Sequence, residues 1–504
     1  MTDIDRREFL KFSGLAATLT ALAACRPLIQ DPLSNTDVID PTLNYPAFDD
    51  EWLLHGTLHR ITFAPTSEDI EYARQIGIDD YIDEQLDPQS IDDAQLDPML
   101  ANFSTLTAHP TELFRIEPAG LPVVELVAAT MLRAVYSKRQ LFELMVDFWT
   151  NHFNIYIASA PERFFKPTDD REVIRPNALG NFGDMLFASA KSPAMLTYLD
   201  NADSTKDRPN ENYARELLEL HTLGVDGGYT QFDVEEVARA FTGWTIVAPR
   251  NNRLLGKRGE FIFASTHHDE GEKLVLGYTL PAGQGFRDGE QILDILIDHP
   301  STAQYIASKL VQRFVSDNPP STLVMAAAKT FTQSRGDIAK VMGTILHSEE
   351  FKLSLGQKMK RPFELLVSTL RVTNAQVEPT RFFDFHMSSM GQPLFRWETP
   401  DGYPDEAQAW ASTSGMMARW NYVMQAAIGS GAPRNPIKID WPNLIDQVDS
   451  NAQALDTLSE KFVGQILPDE ARQIILDFVG NLYSDDTLPA ITALIMASPY
   501  FQFR

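Results

Sequence analysis

Oxygen-bearing side chains crowd between positions 200 and 216, where Asp200, Asn201, Asn210, Glu211, Asn212 and Glu216 stand with Arg215 among them. Carboxylate and amide oxygens at this density suit a hard divalent cation, and Asp200 and Glu211 are the candidate metal ligands. The stretch from Asp200 to Glu211 is no EF-hand loop, because Ala202 occupies a ligand position and Thr205 stands where the turn needs glycine. Local helix chemistry offers a second account. Asn210 caps the helix that follows, Glu211 complements its dipole, and Arg215 pairs with Glu219 one turn on. Asn201, Asn210, Asn212 and Arg215, together with Asn151, are candidates to line a polar ligand pocket.

Three histidines add acid–base candidates. His152 lies four residues after Phe148 and three after Trp149, on an apolar face, so it is either a core histidine with one satisfied hydrogen bond or an acid–base group. His221 replaces an apolar residue in the core stripe of its helix and reads as structural. His268 and Asp269 sit in a connection between two apolar runs. Loops there carry function, and they also carry ordinary turn capping. A hydrolase would draw its acid or base from His152, Glu216, His268 or Asp269, with a carboxylate holding a metal or activating water. No HExxH pair, GxSxG elbow, Walker loop or strand-linked GxGxxG occurs. A binding or accessory role therefore stands ahead of catalysis.

The elements that must position these residues are helices. Apolar positions recur at three and four through Leu141, Leu144, Met145, Phe148, Trp149 and Phe153, and again from Ile70 to Ile78. Thr230 with Asp233 and Ser301 with Gln304 have the spacing of capping boxes. On the helix after Pro209, Tyr213, Ala214, Leu217, Leu218, Leu220 and His221 share one side, and Asn212, Arg215, Glu216 and Glu219 the other. Further helices are predicted over about 321–334, 336–347, 358–373, 406–428, 453–464, 469–483 and 487–497. The exception is a hairpin pairing Phe261–Phe263 with Lys273–Leu276. The expected class is all-α, a large multi-helix globular domain with a small β-hairpin insertion. Residues 51–504 contain no Pro/Gly/Ser linker and read as one domain, with a candidate C-terminal subdomain from about 375.

Several segments together resemble the family called domain of unknown function 1800. They are Phe148-Trp149-Thr150-Asn151-His152-Phe153, Asn210-Glu211-Asn212-Tyr213-Ala214-Arg215-Glu216-Leu217, Thr242-Gly243-Trp244, Lys358-Met359-Lys360-Arg361-Pro362-Phe363-Glu364 and Met390-Gly391-Gln392-Pro393-Leu394. The likeness covers roughly residues 50–504 and assigns no reaction. It implies a partner from the neighbouring family called domain of unknown function 1501. The stretch Trp397–Tyr403 departs from the family pattern.

The amino terminus supplies an address. Arg6-Arg7 with Phe9-Leu10-Lys11 resembles a twin-arginine export signal, with Asp5 where Ser or Thr is usual. The uncharged run Phe12–Ala24 is broken by Ser13, Gly14, Thr18 and Thr20 and is too short to span a bilayer. Ala23 and Ala24 precede Cys25, the expected lipidation site. Residues 1–24 are thus a twin-arginine lipoprotein signal peptide and 25–50, rich in proline, a tether. Arg26, in place of Asp, points to the outer membrane, so the expected location is the periplasm, on a lipid anchor. Cys25 is the only cysteine, leaving no disulfide to hold the fold. A formal charge of −26 points away from nucleic acid; such an acidic surface serves solubility first, with attraction of divalent cations or a basic partner as the sharper alternative.

Overall fold

The computed structural model describes residues 49–158, 161–247, 257–480, 482–484 and 486–504. The segments expected to be a signal peptide and, but for its last residues, a tether, with Cys25 among them, lie outside the described residues. Within them the chain is helical nearly throughout, with three two-stranded antiparallel sheets. The class is all-α with small β insertions. No described helix is long and apolar enough to cross a membrane.

Helix starts follow local capping chemistry. Thr66 and Asp69 form a reciprocal box ahead of Ser67–Ile76, and Thr230 with Asp233 does the same for Gln231–Ala240. The expected box at Ser301 and Gln304 does not form. Proline at the first helical position needs no N–H, so Pro300 opens the helix Pro300–Phe314, and His299 Nδ1 accepts from the Ser301 N–H at 3.2 Å. The helix Glu211–Glu216 passes into a π turn over Leu217–Thr222. That wider turn breaks the 100° rotation: Leu220 is only half-buried, whereas Thr222 is buried and bonds the Leu217 carbonyl at 2.6 Å. It also moves Glu219 out of reach of Arg215. Glu219 takes the Tyr229 hydroxyl instead, at 3.0 Å.

The expected hairpin resolves into two. Strand β1 (Trp244–Ile246) pairs with β2 (Phe261–Phe263), and β3 (Lys273–Val275) with β4 (Tyr278–Leu280). The β3–β4 turn uses Leu276 and Gly277, both at positive φ (51° and 82°), the geometry of a type I′ turn. Leucine is an unusual residue there, which hid the turn from sequence reading. A third pair, β5 (Gln376–Val377) with β6 (Ile437–Lys438), joins two helical regions.

One hydrophobic core runs through the molecule. Leu58 and Ile61 near the start, Leu141 and Trp149 in the middle, and Tyr422, Leu455, Leu494 and Phe501 near the end all belong to it. Phe503 bridges Met359, so the last residues are threaded against the segment 358–360. Buried charge accompanies the apolar core. Glu364 sits between Arg313 (2.5 Å) and Arg504 (2.8 Å), and Arg361 pairs with Asp147.

Candidate functional site

The residues of positions 200–216 part into three roles. Asn201 is fully buried and donates to the carbonyls of Phe241 (3.2 Å) and Trp244 (3.0 Å), so it pins a loop to β1. Asp200 is exposed at φ 59°, and its carbonyl receives Asn210 Nδ2 at 3.2 Å. Asn210 caps its helix by accepting from the Asn212 N–H at 2.8 Å, and Asn212 itself is exposed. Glu211 joins Arg215 (2.9 Å) and Gln231 (2.8 Å) on the outer face, so Arg215 pairs backwards with Glu211 and not forwards with Glu219. Among the described residues, no group of three or more His, Cys, Asp or Glu side chains is placed to hold a metal ion.

His268 and Asp269 form a second, separate cluster. His268 is buried, with Nδ1 at 2.8 Å from the Thr242 carbonyl and Nε2 at 3.1 Å from Asp288, which also takes Lys273 at 2.6 Å. Both ring nitrogens are therefore engaged. Asp269 faces Arg239 at 2.9 and 3.1 Å, and the hydrogen bond from that guanidinium holds its carboxyl at about 2 despite partial burial. The cluster fastens the β3–β4 hairpin to the helices Gln231–Ala240 and Arg287–Asp298.

His152 and Asn151 belong to a third place, a cleft of about 300 Å³; Glu216 does not line it but feels the charge of Asp401, which does. The cleft opens between the end of the helix Gln140–His152, the Lys309–Gln312 face of the helix Pro300–Phe314, and the segment 397–406. The segment is clamped from below. Asn151 accepts from the Tyr403 N–H (2.7 Å) and donates to its carbonyl (2.9 Å), and Asn154 donates to the carbonyls of Trp397 (3.0 Å) and Thr399 (2.7 Å). The Tyr198 hydroxyl adds a bond to the Glu398 carbonyl at 2.8 Å. Gly402, at φ 75°, passes so close that a Cβ there would lie 2.3 Å from the Asn151 carbonyl oxygen.

The charges around this cleft act on one another. Burial, then Glu219 and Asp401, push the Glu216 carboxyl up against the pull of Arg215. Burial pushes the Lys309 ammonium down, although Asp405 and Asp401 oppose it. The Tyr305 hydroxyl is raised to about 12 by burial, Glu219 and Asp401. Lys309 makes no ion pair or hydrogen bond with any described residue and lies 5.5 Å from the centre of the Tyr305 ring. Asp405 is held low, in spite of burial, by Lys358 (3.6 Å) and Arg313 (3.7 Å). Asp401 is the charge these groups share: it helps to raise Glu216 and Tyr305 and opposes the lowering of Lys309.

His152 and His221 lie beneath it, ring centres 6.2 Å apart, with His152 Nε2 3.2 Å from the His221 carbonyl. Burial, with Lys309 adding to it, holds His221 at about 3. The unfolded chain binds this proton below about pH 6.5 and the folded chain does not until about 3. Stability from His221 is therefore present above pH 6.5 and lost progressively as pH falls towards 3. His221→Leu is expected to flatten that acid limb by roughly 2 kcal/mol between pH 6.5 and 4. Denaturant midpoints measured across the range check this, and an unchanged limb would remove His221 from the account.

Sequence reasoning had no means to find Lys309, Tyr305, Asp401 or Asn154 as neighbours of His152. Lys309 lies between the apolar positions Ile306 and Leu310 and looks like a solvated helix residue; only the folded segment 397–406 covers it.

Fold and cleft define a large all-α protein built round one apolar core, with a clamped polar cleft on one flank. It belongs to the family described as protein of unknown function (DUF1800), whose model matches residues 56–503. Phe148, Asn151, His152 and Arg361 of the family-like segments line the cleft. No curated protein and no solved structure matches the chain.

Proposed function

We propose that this is an exported, lipid-anchored cell-envelope protein whose helical body binds a small polar ligand in the 152/309/401 cleft, as an accessory to other envelope proteins. The observation that carries the ligand reading is Lys309, a half-buried ammonium facing the cleft with no ion-pair or hydrogen-bond partner among the described residues. A binding site leaves such a group for its ligand, and clamping the covering segment beforehand lowers the ordering cost of binding. Membrane attachment would come from Cys25 and its acyl chains, with a partner of the domain of unknown function 1501 type beside it.

A second reading, hydrolysis, draws on Glu216, whose carboxyl burial and the charges of Glu219 and Asp401 push up, the direction a general acid needs. A divalent cation held by Asp200 or Glu211 would belong to this reading.

Cys25→Ser is expected to move the protein out of the membrane fraction, and its persistence there would overturn the lipid anchor. Thermal shift of the full chain against amino acids, carboxylates, phosphates, saccharides and divalent cations tests the cleft. At least one stabilising compound, with the shift lost in Lys309→Met, is expected. No shift from any compound would overturn ligand binding, and stoichiometric metal lost in Asp200→Ala or Glu211→Ala would favour the hydrolase.

A further inference from the structure

We propose that the ligand of this cleft is a saccharide of one or two rings, stacked on the indole of Trp397. The inference rests on the ligand-binding reading above and adds to it the class of ligand.

Trp397 is held as a plate. Its carbonyl is tied by Asn154, its Nε1 is spent on Asp401 Oδ1 at 2.9 Å, and its ring meets Tyr403 with centres 4.9 Å apart. With the polar edge satisfied inside the protein, what the half-buried indole has left for a ligand is apolar ring surface. Donors and acceptors of both signs surround that surface. Lys309 offers N–H groups only, Asp401 and Glu406 offer carboxylate oxygens, and Gln312, bonded to Glu406 at 3.4 Å, offers both.

This mixture decides the ligand chemistry. A simple anion satisfies Lys309 but meets Asp401, Asp405 and Glu406, while a simple cation meets Lys309 and Arg361. Hydroxyl groups donate and accept, so a polyol can satisfy ammonium and carboxylates in the same cavity with no net charge of its own. A pyranose also carries an apolar C–H face that matches an aromatic plate. A zwitterionic amino acid would satisfy Lys309 and Asp401 but makes no use of the part of the indole that lines the cleft, the rest being packed against Tyr403 and its neighbours Met359 and Trp410. A cleft of about 300 Å³ lies at the small end of ligand sites, which limits the occupant to one or two rings.

The full chain in detergent, titrated with glucose, glucuronate, N-acetylglucosamine and their disaccharides, gives the test by calorimetry and tryptophan fluorescence. At least one is expected to bind saturably with a change in tryptophan emission. Trp397→Ala should weaken it by about tenfold or more and abolish the emission change, while Trp397→Tyr retains most of the affinity. Asp401→Asn, which keeps the indole in place, should also weaken binding, and circular dichroism confirms folding of each variant. Saccharide binding indifferent to Trp397→Ala and Asp401→Asn would overturn the proposal. Binding of an amino acid or phosphate, lost in Lys309→Met, with no saccharide bound would overturn the saccharide while leaving the cleft a ligand site. Silence from every compound would take both readings down.

Discussion

Glu364→Gln is expected to cost about 3–5 kcal/mol of stability, the loss that follows when one partner is removed from a buried ion-pair network. Glu364 is 1% exposed and is gripped by Arg313, Arg504 and the Arg361 N–H, the last at 2.7 Å. Burial alone would push its carboxyl up, but Arg313, Arg504 and Arg361 win and hold it far below the usual carboxylate range. With an amide in its place, two guanidiniums remain buried beside Arg60, which donates to the carbonyls of Phe314, Ser354 and Arg504. The network ties the first described helix, the helix bearing Lys309 and the chain's last residues together, so the damage should reach the cleft as weaker ligand binding. Because the carboxyl is depressed, its stabilisation is present above about pH 4.5 and fades as pH falls below that value. Denaturant unfolding at neutral pH measures the loss. A change under about 1 kcal/mol would mean that the arginines find other partners and that Glu364 is not their centre.

The opposite sign is expected at Lys360. Lys360→Met should stabilise the protein at pH 7 by about 2 kcal/mol, because an ammonium buried without a hydrogen-bond partner is replaced by an apolar chain of similar length. Lys360 Nζ has no such partner among the described residues and lies 3.8 Å from the centre of the Phe501 ring. Burial first, then Arg504 and Arg419, lower it to about 7 against the pull of Glu364. Between pH 7 and 10.5 the unfolded chain carries this proton and the folded chain sheds it, so wild-type stability from this group rises with pH across that window and is flat below it. The ceiling on the effect is about 5 kcal/mol at 1.36 kcal/mol per pH unit, and the ring's attraction for the cation reduces it. Denaturant midpoints of wild type and Lys360→Met at pH 7 and pH 10 should converge as pH rises. Parallel curves would show that Lys360 titrates as an ordinary lysine.

Both residues belong to Lys358-Met359-Lys360-Arg361-Pro362-Phe363-Glu364, which in one dimension has the charge density of a solvated surface. The fold buries it completely. The reason is the chain's last segment, which pairs Phe503 with Met359 and brings Arg504 to Glu364. No local signal marks such a closure, since it joins positions far apart in sequence.

What the chain wrote plainly into its order of residues was local. Apolar positions at three and four placed helices such as Ser321–Ser334 and Leu488–Ala497, Thr230 and Asp233 marked a helix start, and the motifs at 148–153, 210–217 and 358–364 carried the family. A helix period reports one face of one element, and a cap involves only a few neighbouring residues. Tertiary structure alone decided the rest: β2 took β1 and not β3, Glu219 left Arg215 for Tyr229, and His152, Lys309 and Asp401 met at one cleft while His268 did not join them. Proton affinities, unpaired charges and clamped segments depend on which distant side chains exclude water from which others. That is a property of packing, and it comes into being only when the helices close on one another.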